Sequence, residues 1–193
     1  DERWGRSYES FGEDPALVDQ METIIDGLQG DGALSKNTSV LATAKHFLGD
    51  GGTTYGSSTT GSYTIDQGVT TVTPAQLQAL YLEPFQEAVQ QHGVGSVMPS
   101  YSSLQIIGKD AAPIKMHARG DMITDVLKNQ LGFKGFVISD WQGINQIGPD
   151  YETDIKTGVN AGIDMVMVPD QYQNFENDLA DLVANGGVTQ ARI

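Results

Sequence analysis

The chain has 193 residues, 39% of them hydrophobic, which suits one globular domain with a sizeable core. Its 25 Asp and Glu against 11 Lys and Arg give a net charge of −14, so it lacks the basic footprint that nucleic acid or an anionic membrane surface requires. There is no cysteine, which excludes disulfides, thiolate nucleophiles and cysteine-based zinc sites. No apolar run reaches the roughly 18 residues of a membrane span.

The chain opens on Asp1-Glu2-Arg3-Trp4, without initiator Met or signal peptide, and stops at Ala191-Arg192-Ile193 in what reads as a helix start. Both ends predict an internal piece of a larger protein. Apolar residues at helical spacing (Leu17, Met21, Ile24, Ile25, Leu28) predict a helix over 16–28. Residues 40–47 read as a strand, followed by a Gly/Ser/Thr-rich loop over 49–68. Thr73 caps a helix over 74–91 that Gly93 closes, and 95–98 is a strand. A helix over 118–130 turns Met122, Val126 and Leu131 inward. Residues 136–140 form a strand, 154–161 a helix, 163–168 a strand and 171–184 a helix that stops at Asn185-Gly186-Gly187.

Strand and helix thus alternate four times, and the strands are apolar on both faces, the pattern of βα units on a parallel sheet. Polar residues gather where the strands end: Lys45 and His46, Ser100 and Tyr101, Asp140 and Trp141, and Asp170. In α/β proteins that mouth holds the chemistry. Four strands do not close an eight-stranded barrel of about 250 residues. The pattern fits a small open sheet or half of a barrel, and the chain ends favour the half barrel.

The sharpest local signal is Gly135-Phe136-Val137-Ile138-Ser139-Asp140-Trp141. A buried strand ending in a carboxylate beside an indole offers a sugar one group that attacks and one that stacks. Position alone leaves Asp140 open to a simpler use as a helix cap. Lys45 and His46 offer donors for sugar hydroxyls and a positive charge that would keep a nearby Asp ionised, or are a solvated Lys beside a core His. Arg6 offers a planar fork for paired hydroxyls, or an ion pair with Glu9 or Glu13. The loop at Gly49-Asp50-Gly51-Gly52-Thr53 follows no phosphate-binding pattern but could line a pocket. The three histidines, His46, His92 and His117, lack metal-site spacing; His117 reads as structural and His92 as a helix-end residue favoured by the dipole. No Gly-x-Ser-x-Gly elbow is present.

Four segments occur in order: Arg3-Trp4-Gly5-Arg6-Ser7-Tyr8-Glu9-Ser10, Ala44-Lys45-His46-Phe47-Leu48-Gly49-Asp50-Gly51-Gly52-Thr53, Val97-Met98-Pro99-Ser100-Tyr101-Ser102-Ser103, and Gly135 to Ile144 around Ser139-Asp140-Trp141. Together, from Arg3 to about Val168, the chain resembles the N-terminal catalytic domain of glycoside hydrolase family 3, the β-glucosidase and exo-β-glucanase family. The resemblance implies an α/β fold that is part of a (β/α)8 TIM-like barrel, roughly its second half with about four βα units. It assigns Asp140 as nucleophile, and Arg6, Lys45 and His46 as binders of the non-reducing-end glucose. Met98 and Tyr101 fall beside the same subsite, and Trp141 matches an aromatic wall that stacks on sugar.

The implied reaction is retaining hydrolysis of terminal β-D-glucosyl residues from β-glucosides or β-glucan oligosaccharides, through a covalent glycosyl-enzyme on Asp140, without cofactor or metal. The family's acid/base is usually a Glu in a second α/β sandwich domain, which nothing in residues 1–193 resembles. The chain alone is therefore expected to be inactive. Two alternatives are a β-N-acetylhexosaminidase of the same family and a non-catalytic sugar-binding barrel. The first expects a histidine-containing loop soon after Lys-His-Phe, and none lies between His46 and His92. The second expects loss of Asp140, which is present.

Overall fold

The computed structural model describes residues 2–30, 34–58, 60 and 62–193. Its main sheet is built from β1 (Thr43–Phe47), β3 (Ser96–Pro99) and β6 (Phe136–Val137), all parallel and in the order β1-β3-β6. The next stretch of chain joins as a further parallel neighbour: Ile138 bridges Met165, and Asp164 and Met165 donate to the Val137 carbonyl at 2.8 and 3.0 Å. Neighbours in the sheet are therefore successive in sequence, with no reversal of order.

Helices separate these strands, as the alternation predicts. The first, α3, runs continuously through Pro74–Gln76, Leu77–Leu82 and Glu83–Gln90, its middle stretch wound as a π-helix. Thr73 caps it in a reciprocal box with Gln76, which satisfies two otherwise orphaned N–H groups. After β3 comes α4 (Asp121–Gln130), then α5 (Tyr151–Ala161) behind β6 and α6 (Tyr172–Ala184) at the end. Val97 and Val137 of the sheet are fully buried, as are Ile123 and Leu127 of α4 and Ile155 of α5. Phe47 of β1 meets Phe85 of α3 edge-to-face, centroids 5.1 Å apart. Where β3 and β6 enter the sheet side by side, a Cβ on Gly135 would lie 2.0 Å from the Gly95 carbonyl oxygen, so the approach requires glycine.

The loops that leave the C-terminal ends of β1 and β3 build a second sheet: β2 (Val69–Val72) runs parallel to β4 (Ser103–Ile106), and β5 (Ile114–Lys115) pairs antiparallel with β4. Thr53 fastens it to the first loop by bridging Thr70. Buried Arg119 clamps its far side, donating to Asp110 at 2.7 Å, to the Leu104 carbonyl at 3.3 Å and, through Nε and Nη2, to both oxygens of Asp121.

Several expectations change. The helix expected over 16–28 is two, α1 (Pro15–Met21) and α2 (Thr23–Gln29), broken at Glu22. Of its apolar stripe Ile25 is buried, whereas Leu17, Met21, Ile24 and Leu28 lie exposed on the helix surface. Of the strand expected over 163–168, the described residues show one bridge, Met165 to Ile138. Between the expected loop over 49–68 and the helix lies an unanticipated strand, β2; residues 59 and 61 of the loop fall outside the described ones. The helix expected from 154 begins at Tyr151, where the Asp150 side chain accepts from the Thr153 N–H.

Candidate active site

β1, β3 and β6 end side by side, and their last side chains meet. The pairing of β1 with β3 slips between Lys45 and Phe47, leaving His46 as the extra residue of a bulge. A bulge breaks the strict alternation of the pleat, which is how two adjacent polar residues can both serve one mouth. Lys45 is exposed, opposite half-buried Met98, with no hydrogen-bond or ion-pair partner among the described residues.

Beyond β6 the chain continues through Ser139, whose hydroxyl accepts the Met167 N–H at 2.8 Å, to Asp140. The Asp140 N–H donates to Nε2 of His117 at 3.0 Å, and its Oδ1 accepts the Trp141 N–H at 2.7 Å. Oδ2 faces His46 Nε2 at 3.6 Å, beyond hydrogen-bond distance. The other nitrogen of His46, Nδ1, lies 3.2 Å from Oδ2 of Asp50. Asp50 Oδ1 in turn accepts from the hydroxyls of Ser100 at 2.6 Å and Ser102 at 3.3 Å. Burial alone would push the Asp50 carboxyl up, but His46 and the two serines outweigh it and hold it below the usual carboxylate range.

Tyr101 closes another side, its hydroxyl donating to the Trp141 carbonyl. Burial and then the Asp140 charge push that phenol up, so it stays a donor. The Trp141 indole is 56% exposed and free to stack against a ligand. Lys115, without a carboxylate partner, donates to the Tyr101 carbonyl at 3.1 Å and to Gln146 Oε1 at 2.9 Å; burial lowers its ammonium. A third carboxyl, Asp66, is pushed up by burial and then by Asp50, with Arg6 and His46 opposing.

Of the seven residues singled out in the sequence, His46, Tyr101, Asp140 and Trp141 are in mutual contact or one contact apart, and Lys45 and Met98 lie at the same strand ends. Arg6 takes its alternative: its guanidinium forms a two-pronged pair with Glu9, both contacts at 2.8 Å, while still sensing the charges of Asp66 and Asp140. His92 pairs with Asp26 at 2.9 Å. Sequence reasoning missed Asp50, Asp66, Ser102, Lys115 and the contact made by His117. The available signal was a carboxylate four residues beyond His46 in a glycine-rich turn. No group of His, Cys, Asp and Glu suited to hold a metal occurs among the described residues.

The whole chain, residues 1–193, matches the sequence profile of the glycosyl hydrolase family 3 N-terminal domain. It is similar to a β-xylosidase of Formosa agariphila, 36% identical over 87% of this chain, and to a lysosomal β-glucosidase of Dictyostelium discoideum, 32% identical over 98%. In both cases it spans 22% of the relative's length. Among solved structures it resembles an exo-1,3/1,4-β-glucanase of a Pseudoalteromonas species (the Q683A mutant), with a TM-score of 0.84 and 36% identity, covering 100% of this chain and 29% of that one.

Proposed function

The chain belongs to glycosyl hydrolase family 3, and on that premise we propose that it carries the nucleophile and first sugar subsite of a retaining β-glucosidase. The observation that carries this reading is the setting of Asp140. One carboxylate oxygen is tied to the Trp141 N–H, and the other points past His46 into the mouth beside an exposed indole.

In this reading Oδ2 attacks the anomeric carbon, the bond to the leaving oxygen breaks, and a glycosyl ester forms on Asp140. Water then cleaves the ester with retention. His46 and Lys45, with Met98, Tyr101 and Arg6 around them, bind the hydroxyls of the terminal glucose, and Trp141 stacks on the sugar. Contacts that tighten as the ring flattens are the ones that raise the rate. The leaving oxygen takes its proton from a Glu of a second α/β sandwich domain, its carboxyl about 5–5.5 Å from the nucleophile's. No cofactor takes part, and the substrate is a β-glucoside or β-glucan oligosaccharide.

The same premise makes the fold roughly the second half of a (β/α)8 barrel. Parallel neighbours in strict chain order fit a barrel sector, whereas doubly wound sheets reverse order at a switch point. The exposed apolar stripe Leu17, Met21, Ile24 and Leu28 is then a surface that the rest of the barrel covers.

A second reading, β-xylosidase, is favoured by the name of the Formosa agariphila relative. Xylose is glucose without its hydroxymethyl arm, so the two readings differ in one substituent. The full-length protein should be offered 4-nitrophenyl β-glucoside and β-xyloside while proton NMR follows the first anomer released. The glucosidase reading expects the glucoside to be preferred and β-glucose to appear first. Preference for the xyloside would favour the second reading, and an α-anomer first would exclude retention.

A further inference from the structure

We propose that His117 is a positioning residue for the nucleophile: its neutral imidazole holds the Asp140 main chain so that one carboxylate oxygen is tied and the other is left to attack. The inference rests on the reading of Asp140 as nucleophile and adds to it how that carboxylate is aimed.

At the end of β6 the chain leaves the sheet, so the Asp140 N–H has no strand partner. Its acceptor is Nε2 of His117, 3.0 Å away, and no other acceptor of that group is present among the described residues. The Asp140 carbonyl is held from the other side, by the Gly143 N–H at 2.9 Å and the Ser139 hydroxyl at 2.9 Å. With both ends fixed, the next N–H, that of Trp141, is directed onto Oδ1 at 2.7 Å. Oδ2 is what remains, facing His46.

His117 is itself immobile. It lies in the short turn Met116–Ala118, 1% exposed. Its ring sits against Gly143, where a Cβ would fall 2.3 Å from Nε2. A side chain at 143 would force the imidazole or its own backbone to shift, so the glycine and the histidine fit as a pair. Nε2 can accept only while it carries no proton. Burial, and then the charge of Lys115, hold the imidazole down at about 3, so it stays neutral; accepting at Nε2 leaves its proton on Nδ1, which has no hydrogen-bond partner among the described residues. A buried, neutral histidine is thus used for its lone pair.

The test is made in the full-length enzyme. His117→Phe keeps the ring volume and removes the acceptor, His117→Gln restores an acceptor, and Gly143→Ala displaces the ring from the other side. For His117→Phe and Gly143→Ala we expect kcat to fall about 100-fold with KM little changed, the size of effect that a misaimed reacting group produces. His117→Gln is expected to recover at least about tenfold of that loss, a rescue that lost packing alone would not give. In the unmutated enzyme, nitrogen NMR should find His117 neutral, protonated on Nδ1, from pH 4 to pH 8. A folded His117→Phe enzyme with unchanged kcat would overturn the proposal, as would a His117 that titrates near pH 6.5. Labelling of the unmutated enzyme by a 2-fluoroglucosyl reagent separates the two layers: a label away from Asp140 sinks the nucleophile reading, whereas a label on Asp140 with unaltered His117→Phe kinetics sinks this one alone.

Discussion

An imidazole between two carboxylates can present either nitrogen to either partner, so something outside the ring must orient it. For His46 that is Asp50, fixed on its far side by the hydroxyls of Ser100 and Ser102. Asp50→Asn keeps an oxygen for the serines but removes the charge that faces Nδ1. A hydrogen bond to a charged group contributes about 1.5–3 kcal/mol, so kcat/KM on an aryl β-glucoside should fall roughly tenfold or more. Steady-state kinetics of the full-length variant would show this, and an unchanged kcat/KM would mean that His46 is oriented by other contacts. At this scale Asp140 and His46 were legible because each lies at or just past the end of a strand, where exposure and chemistry coincide. Asp50 and His117 were not, because what fixes them is contact across the chain: Asp50 is held by the Ser100 and Ser102 hydroxyls, and His117 takes the Asp140 N–H. Arg6 was legible only as two alternatives, and the structure shows the pair with Glu9.

The elements themselves followed from periodicity wherever a buried face repeats. The alternation holds through β1, α3, β3, α4, β6 and α5, whose apolar residues share one core, and its fourth strand is reduced to the Met165 bridge before α6. The second sheet was hidden because Val69-Thr70-Thr71-Val72 sits among turn residues and directly before a helix cap, and its partner β4 is as short. The break between α1 and α2 was hidden too. It falls at Glu22, whose buried Oε2 has no hydrogen-bond partner among the described residues and which faces Asp19 of α1 and Glu83 and Glu87 of α3. Burial, reinforced by those three carboxyls, pushes Glu22 up to about 8. A folded-state value above the unfolded 4.5 means that stability is fully present below pH 4.5 and is lost as pH rises toward 8. Glu22→Gln should remove that loss in the full-length protein, raising Tm by a few degrees at pH 8 and leaving it nearly unchanged at pH 4.5. Equal shifts at both pH values would assign the effect to packing instead of charge.

Over the whole molecule the account joins two facts: a site whose parts converge at one end of the sheet, and an apolar stripe on α1 and α2 that nothing in the described residues covers. Four exposed apolar side chains along one pair of helices suit a surface that another part of the protein covers. Produced alone, residues 1–193 should bind an apolar dye, self-associate in sedimentation experiments and show no turnover of aryl β-glucosides; a monodisperse, active fragment would contradict the half-barrel reading. The parallel order and the position of the mouth were legible in the sequence, but closure of a barrel was not, because four strands are compatible with an open sheet. The claim on which the rest depends is that Asp140 becomes covalently glycosylated, and one measurement addresses it directly. The full-length enzyme would be incubated with a 2-deoxy-2-fluoro-β-glucosyl reagent, digested, and the labelled peptide sequenced by mass spectrometry. The account predicts a fluoroglucosyl ester on Asp140 and loss of activity in step with labelling; an ester on a different carboxylate, or an active enzyme that is never labelled, would contradict it.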